Sequence, residues 1–138
     1  MILFEYIDVN KLDLQKKDVV VWLKSVLVRE DPTKKLGDIT YVFCNDDFLK
    51  EKNKLFLNHD YLTDVITFDY SKESTVSADI LISIDRVLVN SKKYDVDFLC
   101  ELKRVMIHGL LHLLGYKDKT KKEGALMRSK ENFYLSKQ

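Results

Sequence analysis

Hydrophobic and polar residues alternate over residues 2–8, and this two-residue period predicts a first β-strand. Apolar residues then recur at spacings of three and four over residues 13–29, which is the period of an amphipathic helix. The Asp31-Pro32 pair ends this helix, because a proline disfavours helical backbone at the residue before it. The chain is therefore predicted to begin with a strand and a helix that packs on a sheet.

Three further strands are predicted in the middle of the chain. The alternating run DITYVFCN follows Gly37, and the runs near residues 64–70 and 78–84 are separated by the polar segment SKESTVS, so the last two strands are expected to form a hairpin. After the second strand, Asn45 suits the N-cap of a helix that runs to about Leu57. This helix is expected to bury its large apolar side chains, Phe48, Leu49, Leu55 and Phe56.

The last third of the chain predicts three helices. Asp85 is expected to cap a short helix, and Asp97 a longer one with an apolar face. Thr120 and Glu123 have the spacing of a capping box, which indicates a final helix through Phe133.

The length and the order of the elements predict the fold class. A chain of 138 residues has the usual size of one domain. We expect an α+β fold, with a single domain over residues 1–138 in which a mixed four-stranded sheet is covered by about five helices.

The composition is that of a compact globular protein: 46% of the residues are hydrophobic, 33% are charged, and there is one proline. Cys44 and Cys100 belong to no ligand-spaced pair, so we expect inert core thiols in a reducing cytoplasm. No apolar run approaches the roughly 18 residues of a membrane span, and no membrane partner is expected.

Charge is unevenly distributed, although the formal net charge is only +1. Residues 117–138 carry seven basic and three acidic side chains. This local excess is typical of a solvated helix face, and it is also available to steer a polyanion. The global balance therefore neither requires nor excludes a nucleic-acid partner.

The segment HGLLHLLGYKD, from His108 to Asp118, holds two of the three histidines of the chain. His108 and His112 are four residues apart, so on a helix they share one face and their imidazoles can reach one ion. Gly115 allows a sharp reversal that brings the Asp118 carboxylate towards the same point. Three ligands with an open position are typical of a catalytic zinc site. The alternative is a pair of core histidines beside an unrelated aspartate.

The spacing HxxxHxxGxxD copies that of zinc proteases with the pattern HExxHxxGxxH, except that an aspartate replaces the third histidine. In those proteases the glutamate is the general base, and here Gly109 occupies its position. Protease chemistry of that kind therefore lacks its base. A glycine inside a helix costs about 1 kcal/mol relative to alanine, which indicates either a close approach to the backbone or tight packing of the helix on the sheet.

The same segment resembles the HGxLHLxGYDH signature of the YbeY family, which comprises bacterial metal-dependent endoribonucleases implicated in ribosomal RNA maturation. Three further matches occur in the same order: Asn53 with the aromatic Phe56, LTDVITF with PTDVLSF, and ADILIS with GDIVIS. Together they span about residues 38–131. The resemblance implies a zincin-like metal site.

The resemblance assigns His108 and His112 as metal ligands, with Asp118 where most of the family has a third histidine. Zinc is the expected ion, although the same ligands also suit nickel, iron or manganese. The implied function is a single-strand-specific endoribonuclease that acts in maturation of the 16S ribosomal RNA 3′ end and in ribosome quality control. The implied partner is ribosomal RNA, on the ribosome or presented by a ribosomal protein, and no DNA partner is expected.

The chain departs from the family pattern at Leu57, where many members have an arginine proposed to hold phosphate. Lys54, Arg104 and Lys117 are the candidate replacements for this phosphate contact. Leu62 replaces a proline, which we expect to change only the stiffness of a loop.

Thr63 and Asp64 are candidate substrate-binding residues, because they precede a strand along which RNA bases can lie. For Asp64 and Asp79, capping or bonding a backbone turn is the simpler explanation. His59 is expected to be an exposed loop histidine rather than a ligand.

Two other functions remain open. One is a metallohydrolase acting on peptides or small molecules, which the protease-like spacing favours and Gly109 disfavours. The other is a non-catalytic ribosome-assembly factor with a structural metal, which the missing arginine at Leu57 favours.

Overall fold

The computed structural model describes residues 1–57 and 63–138, in which the chain forms four strands and five helices. The strands are β1 (Ile2–Tyr6), β2 (Lys35–Cys44), β3 (Val65–Asp69) and β4 (Thr75–Ser83). The helices are α1 (Lys16–Glu30), α2 (Asp46–Leu57), α3 (Ile84–Lys93), α4 (Phe98–Leu113) and α5 (Lys121–Leu135). The predicted α+β class is confirmed. Within these residues no helix is both long and apolar enough to cross a bilayer.

The strands form a mixed sheet in the order β1-β2-β4-β3. β1 pairs with β2 and β2 with β4 in parallel, whereas β3 and β4 are antiparallel. The hairpin predicted for the last two strands is therefore confirmed, and it leaves β3 at one edge of the sheet.

The main core lies on one face of the sheet, which we call the inner face and define by Ile39, Tyr41 and Phe43 of β2 with Ala78 and Ile80 of β4. The buried sides of α1, α4 and α5 pack on this face. Among the described residues, one buried hydrogen bond joins the sheet to a helix and another joins two of the helices. The Tyr41 hydroxyl donates to the carbonyl of Met106 (3.1 Å) in α4, and the Trp22 indole N–H of α1 donates to the carbonyl of Tyr134 (2.9 Å) in α5.

The outer face of the sheet carries a smaller apolar cluster of Val42, Cys44, Ile66 and Leu81, on which Leu49 of α2 packs. Burial raises the pKa of the Cys44 thiol to about 12, as expected for an inert core thiol. Cys100 is exposed near the start of α4, so the expectation that both thiols lie in the core is wrong for Cys100.

Of the four predicted helix caps, two are confirmed and one is wrong, while Asp97 stands at the N-cap position of α4 without a side-chain capping hydrogen bond. Asn45 accepts a hydrogen bond from the backbone N–H of Phe48 (2.8 Å), and Thr120 forms a complete capping box with Glu123. The predicted cap of α3 at Asp85 is wrong, because β4 continues directly into α3 and Ser83 caps it instead. Asp85 accepts a hydrogen bond from the backbone N–H of Asp46 (2.9 Å), at the start of α2.

The structure differs from the predictions in two further places. Leu55 and Phe56 are 65% and 60% exposed. Leu55 lies away from the side of α2 that carries Leu49 and Asn53, whereas Phe56 shares that side but lies near the end of the helix, where its ring contacts Phe68 of β3. The SKESTVS segment also contributes strand residues, since β4 begins at Thr75, which pairs with Lys35.

Tight packing explains Gly109 in α4. A Cβ atom built at this position would lie 2.9 Å from Cγ2 and 3.3 Å from Cδ1 of Ile80, and 3.5 Å from Oγ1 of Thr67. Ile80 is fully buried and its Cγ2 methyl is fixed to a branched carbon, so it has little room to move away. Of the two explanations for this glycine, close packing of the helix on the sheet is the one observed.

We expect Gly109→Ala to destabilise the protein by about 1–3 kcal/mol, because the overpacking outweighs the gain in helix propensity. Gly124→Ala in α5 is the matched control. A Cβ atom there would meet nothing within 4 Å, so this change is expected to stabilise by about 0.5–1 kcal/mol. Urea denaturation of both variants measures the difference, and equal stabilisation by both would contradict the packing explanation.

Candidate metal centre

His108 and His112 lie on the same face of the last two turns of α4. Their ring centroids are 4.5 Å apart, and their Nε2 atoms are 2.9 Å apart. Both rings are only partly buried, whereas Gly109, Leu110 and Leu111 between them are buried. The helix therefore packs its apolar side on the sheet and presents two imidazoles to a cleft.

The turn after α4 brings Asp118 to the two histidines. Gly115 has a φ of 102°, and its N–H donates to the carbonyl of His112 while the N–H of Tyr116 donates to that of Leu111 (both 3.1 Å). This pattern is a Schellman motif, in which glycine supplies the left-handed residue. The chain reverses, and Oδ2 of Asp118 comes to lie 3.1 Å from Nε2 of His108 and 3.5 Å from Nε2 of His112.

The outward nitrogen of each imidazole has a hydrogen-bond partner that selects the tautomer of the ring. Nδ1 of His112 is 2.9 Å from the backbone carbonyl of Tyr116, which can only accept, so this nitrogen carries the hydrogen. Nδ1 of His108 is 2.6 Å from Oε2 of Glu131. Burial tends to raise the pKa of Glu131, but hydrogen bonds with His108 and Arg104 outweigh this effect and lower the pKa. Glu131 is therefore ionised and accepts the hydrogen of His108 Nδ1.

The inward Nε2 atoms of two neutral histidines with these tautomers both present lone pairs, and they face a carboxylate oxygen. Three acceptors this close together repel one another unless a positive charge lies between them. The circle through the three atoms has a radius of about 1.8 Å, slightly less than the ~2.0–2.1 Å bonds of zinc to nitrogen and oxygen. The donor set of His108, His112 and Asp118 thus fits one divalent ion and can hold it.

A buried ion network supports the site behind His108. Arg104 donates from Nε to Oε1 of Glu101 (2.8 Å), from Nη1 to Oε1 of Glu131 (2.9 Å), and from Nη2 to the second oxygen of Glu101. Burial tends to lower the pKa of Arg104, but these hydrogen bonds raise it overall. The geometry favours a positioning role for Arg104, because its guanidinium holds the carboxylate that orients His108.

A second network holds the turn that orients His112. Glu30, at the end of α1, accepts hydrogen bonds from the hydroxyls of Tyr116 and Tyr134 and from Nζ of Lys130 (3.3 Å). Burial tends to raise the pKa of Glu30, and these bonds lower it overall. The carbonyl of Tyr116 that orients His112 is therefore tied to α1 and α5 through the Tyr116 side chain.

The three potential ligands line a cleft of about 550 Å³ between α4, β3 and the end of α2. Its other lining residues in the described part of the chain are Asn53, Leu57, Thr63, Asp64, Val65, Ile66, Thr67, Asp69, Leu113 and Lys119. Thr63 and Asp64, the predicted substrate-binding residues, are thus in the same cleft. Burial raises the pKa of Asp64, and Arg104 and His108 oppose this rise.

The predicted phosphate contacts at Lys54 and Lys117 are exposed side chains and do not line the cleft, whereas Lys119 does. Leu57, at the position of the family arginine, lines the cleft and is 40% exposed.

Asp79 bonds a side chain rather than a backbone turn, since it accepts from the Tyr70 hydroxyl (3.3 Å) on the outer face. The predictions for His59 and Leu62 concern residues outside the described part.

Glu131 was not identified from the sequence, although a signal for it exists. It lies on the buried side of α5, between Met127 and Tyr134, at helical spacings of four and three. A carboxylate on such an apolar stripe needs a buried partner, and metal-binding histidines usually donate to a carboxylate or carbonyl. The two observations together would have pointed to Glu131 as the partner of a histidine.

The model of the family described as Endoribonuclease YbeY matches residues 5–138 of the chain. The chain belongs to the YbeY family. Relatives named Endoribonuclease YbeY from Flavobacterium psychrophilum and Flavobacterium johnsoniae are 48% and 46% identical to it over 132 residues. The alignments cover 96% of this chain and 92% and 93% of the two relatives. The resemblance inferred from the sequence is therefore confirmed.

A solved structure shows the same YbeY-type fold. The solution structure of TM1509 from Thermotoga maritima superposes with a TM-score of 0.66 at 28% sequence identity. The match covers 99% of this chain and 87% of the Thermotoga protein.

We expect Glu131→Gln to weaken zinc binding by about 10–100-fold, because the amide does not hold the hydrogen of His108 Nδ1 as a buried carboxylate does. Competition with a chromophoric chelator measures the affinity. Glu51→Gln, which removes an exposed carboxylate from α2, is the control and should leave the affinity unchanged. Equal affinity of the Glu131→Gln and Glu51→Gln proteins would contradict the assignment.

Proposed function

We propose that this protein is a metal-dependent, single-strand-specific endoribonuclease. It acts as a single domain in the cytoplasm, in maturation of the 16S ribosomal RNA 3′ end and in ribosome quality control. The observation that carries the proposal is the convergence of His108, His112 and Asp118 at a cleft large enough for a nucleotide. Membership of a family described as Endoribonuclease YbeY supports the reaction type.

The proposed roles follow from the positions of the side chains. His108, His112 and Asp118 hold one divalent ion, and we propose that this ion is zinc. When bound, this ion supplies Lewis-acid chemistry, since it lowers the pKa of a coordinated water and polarises a phosphate oxygen. Glu131 and the carbonyl of Tyr116 keep the two imidazoles in the tautomer that binds metal.

The phosphate is positioned by the cleft residues of this chain. Lys119 provides an ammonium group in the lining of the cleft. It takes the place of the family arginine, whose position is occupied here by Leu57. The Thr63 hydroxyl can donate a hydrogen bond to a phosphate or ribose oxygen in the same cleft. Gly109 offers no general base, and its contacts with Ile80 give it a packing role instead.

The RNA is presented on the ribosome or by a ribosomal protein, which explains how a chain with a net charge of only +1 can bind it. Protein contacts then supply part of the affinity, and the basic excess of residues 117–138 only steers the RNA towards the cleft.

A second candidate function is a non-catalytic assembly factor with a structural metal, which the apolar side chain of Leu57 in the cleft favours.

Removal of the metal tests the proposal. Chelation is expected to lower cleavage of single-stranded ribosomal RNA at least about a hundredfold while the protein stays folded, because two apolar clusters hold the sheet. Zinc is expected to restore the activity of the wild type but not of His112→Ala. Gel analysis of the RNA and circular dichroism of the protein are the two measurements.

Lys121→Ala, an exposed change at the start of α5, is the surface control and should cleave like the wild type. Unfolding on chelation would instead indicate a structural metal and the assembly-factor function. Cleavage that persists both with chelator and in His112→Ala would rule out the metal-dependent nuclease.

We expect Lys119→Ala to weaken binding of single-stranded RNA about tenfold and to reduce the salt slope of binding by about 1, because one phosphate contact is lost. Lys117→Ala, two residues away and outside the cleft lining, is the matched comparison and should have the smaller effect. Fluorescence anisotropy at several salt concentrations measures both. An equal or larger effect of Lys117→Ala would assign the phosphate contact to Lys117.

A further inference from the structure

A second cavity, which we call the outer pocket, lies on the outer face of the sheet beside the edge strand β3. It has a volume of about 210 Å³ and is lined by Lys52, Phe56, Phe68, Tyr70, Asp79 and Leu81. The proposed function makes no use of these six residues.

The outer pocket and the metal cleft share two elements, α2 and β3. Asn53 and Leu57 of α2 line the cleft, and Lys52 and Phe56, each one residue earlier, line the outer pocket. Thr67 and Asp69 of β3 likewise line the cleft, whereas Phe68 and Tyr70 line the pocket. Alternate residues of a strand point to opposite faces of a sheet, so β3 separates the two sites by the thickness of one strand.

The outer pocket has the surfaces that stack a nucleobase. Phe56 is 60% exposed and Tyr70 is 56% exposed. Phe68 holds Phe56 in an edge-to-face contact, with the ring centroids 5.8 Å apart. Exposed aromatic rings held in place by a neighbour provide sequence-tolerant stacking in proteins that bind single-stranded nucleic acids.

The polar groups of the outer pocket also fit a nucleotide. Nζ of Lys52 lies 5.5 Å from the ring centroid of Phe56 and 5.2 Å from that of Phe48, which places a positive charge beside the stacking surface. The Asp79 carboxylate accepts from the Tyr70 hydroxyl and has further lone pairs for a base N–H group. An exocyclic amino group can donate to this carboxylate, whereas the one ring N–H of uracil lies between two carbonyl oxygens that repel it, so adenine, cytosine and guanine are favoured over uracil.

We propose that the outer pocket binds one base of the same single-stranded RNA whose scissile phosphate lies in the metal cleft, with the strand passing around the edge of the sheet at β3. The inference rests on the proposed function and names the subsite that makes it specific for single strands. A duplex cannot follow this path, because a base must leave its stack to enter the outer pocket.

The test measures binding of a fluorescent single-stranded 2′-O-methyl RNA, chosen to limit cleavage, by anisotropy with zinc present, so that the cleft keeps the charge it has in the proposed function. Phe56→Ala is expected to raise Kd about tenfold for an oligonucleotide long enough to reach both sites. It should have no effect on one that spans the cleft alone. Phe56→Tyr is expected to retain wild-type affinity. Leu55→Ala is the matched control, because Leu55 is 65% exposed on the same helix turn and lines neither cavity.

Abasic substitution along the oligonucleotide locates the bound base. In the wild type, removal of the base at one position is expected to raise Kd about tenfold. In Phe56→Ala the same removal should raise Kd little further, because the stacking partner is already absent. Uracil at that position should bind more weakly than cytosine, and Asp79→Asn should reduce the difference.

The outcomes separate the inference from the proposed function. If the wild type neither binds nor cleaves single-stranded RNA, the proposed function fails. If the wild type cleaves RNA but Phe56→Ala and Leu55→Ala bind it equally, the RNA subsite is overturned. A loss of ribosome association by Phe56→Ala with unchanged Kd for RNA would also overturn it, and would assign the outer pocket to a protein contact.

Discussion

The close packing of α4 on the inner face of the sheet is the constraint on which the rest of the structure depends. Gly109 allows the helix backbone to approach Ile80 to a depth that a Cβ atom would prevent. At this depth Leu110 and Leu111 are buried, and burial of each such side chain contributes about 1.5–3 kcal/mol. His108 and His112 then lie at the rim of the core, where they are held rigidly but still reach the cleft.

The electrostatics around His108 suit a metal ligand better than they serve stability. Glu101, Arg104 and Glu131 form a buried group with a formal charge of −1, and desolvation of buried ions usually offsets their mutual attraction. The excess negative charge lies directly behind an imidazole whose other nitrogen faces the metal site. A carboxylate at this position increases the basicity of the ligand and favours a cation in front of it. The network therefore makes sense as support for a metal ligand and not as a source of folding energy.

Sequence reasoning succeeded where the information is local. The i, i+4 spacing of His108 and His112, the glycine at the end of α4 and the capping box at Thr120 all depend on a few neighbouring residues, and the structure has each of them. The family motif covers these same segments, which is why the fold and the ligand set could be expected together.

Long-range contacts and exposure were the parts that sequence reasoning missed. Glu131 is 23 residues from His108, and Glu30 is 86 residues from Tyr116, so no local period reveals either pair. Apolar residues at helical spacing also do not show which side of a helix finds a partner. Leu55 and Phe56 were therefore predicted to be buried, whereas Leu55 lies away from the packed side of α2 and Phe56, on that side near the end of the helix, stays exposed beside Phe68. This exposure is what makes Phe56 available for a binding role.

The charge of the cleft explains why a metal and a phosphate belong together in it. Among the described residues that line it, Asp64, Asp69 and Asp118 carry carboxylates and Lys119 carries the one ammonium group, so the formal charge is −2 with neutral histidines. Such a lining repels a polyanion. A divalent ion held by His108, His112 and Asp118 brings the formal charge to zero, and the desolvated walls strengthen its attraction for phosphate. Since Leu57 adds no charge, an ion bound by these ligands would supply the attraction that an arginine would otherwise share, and the RNA binding proposed for this cleft would weaken when the metal is removed.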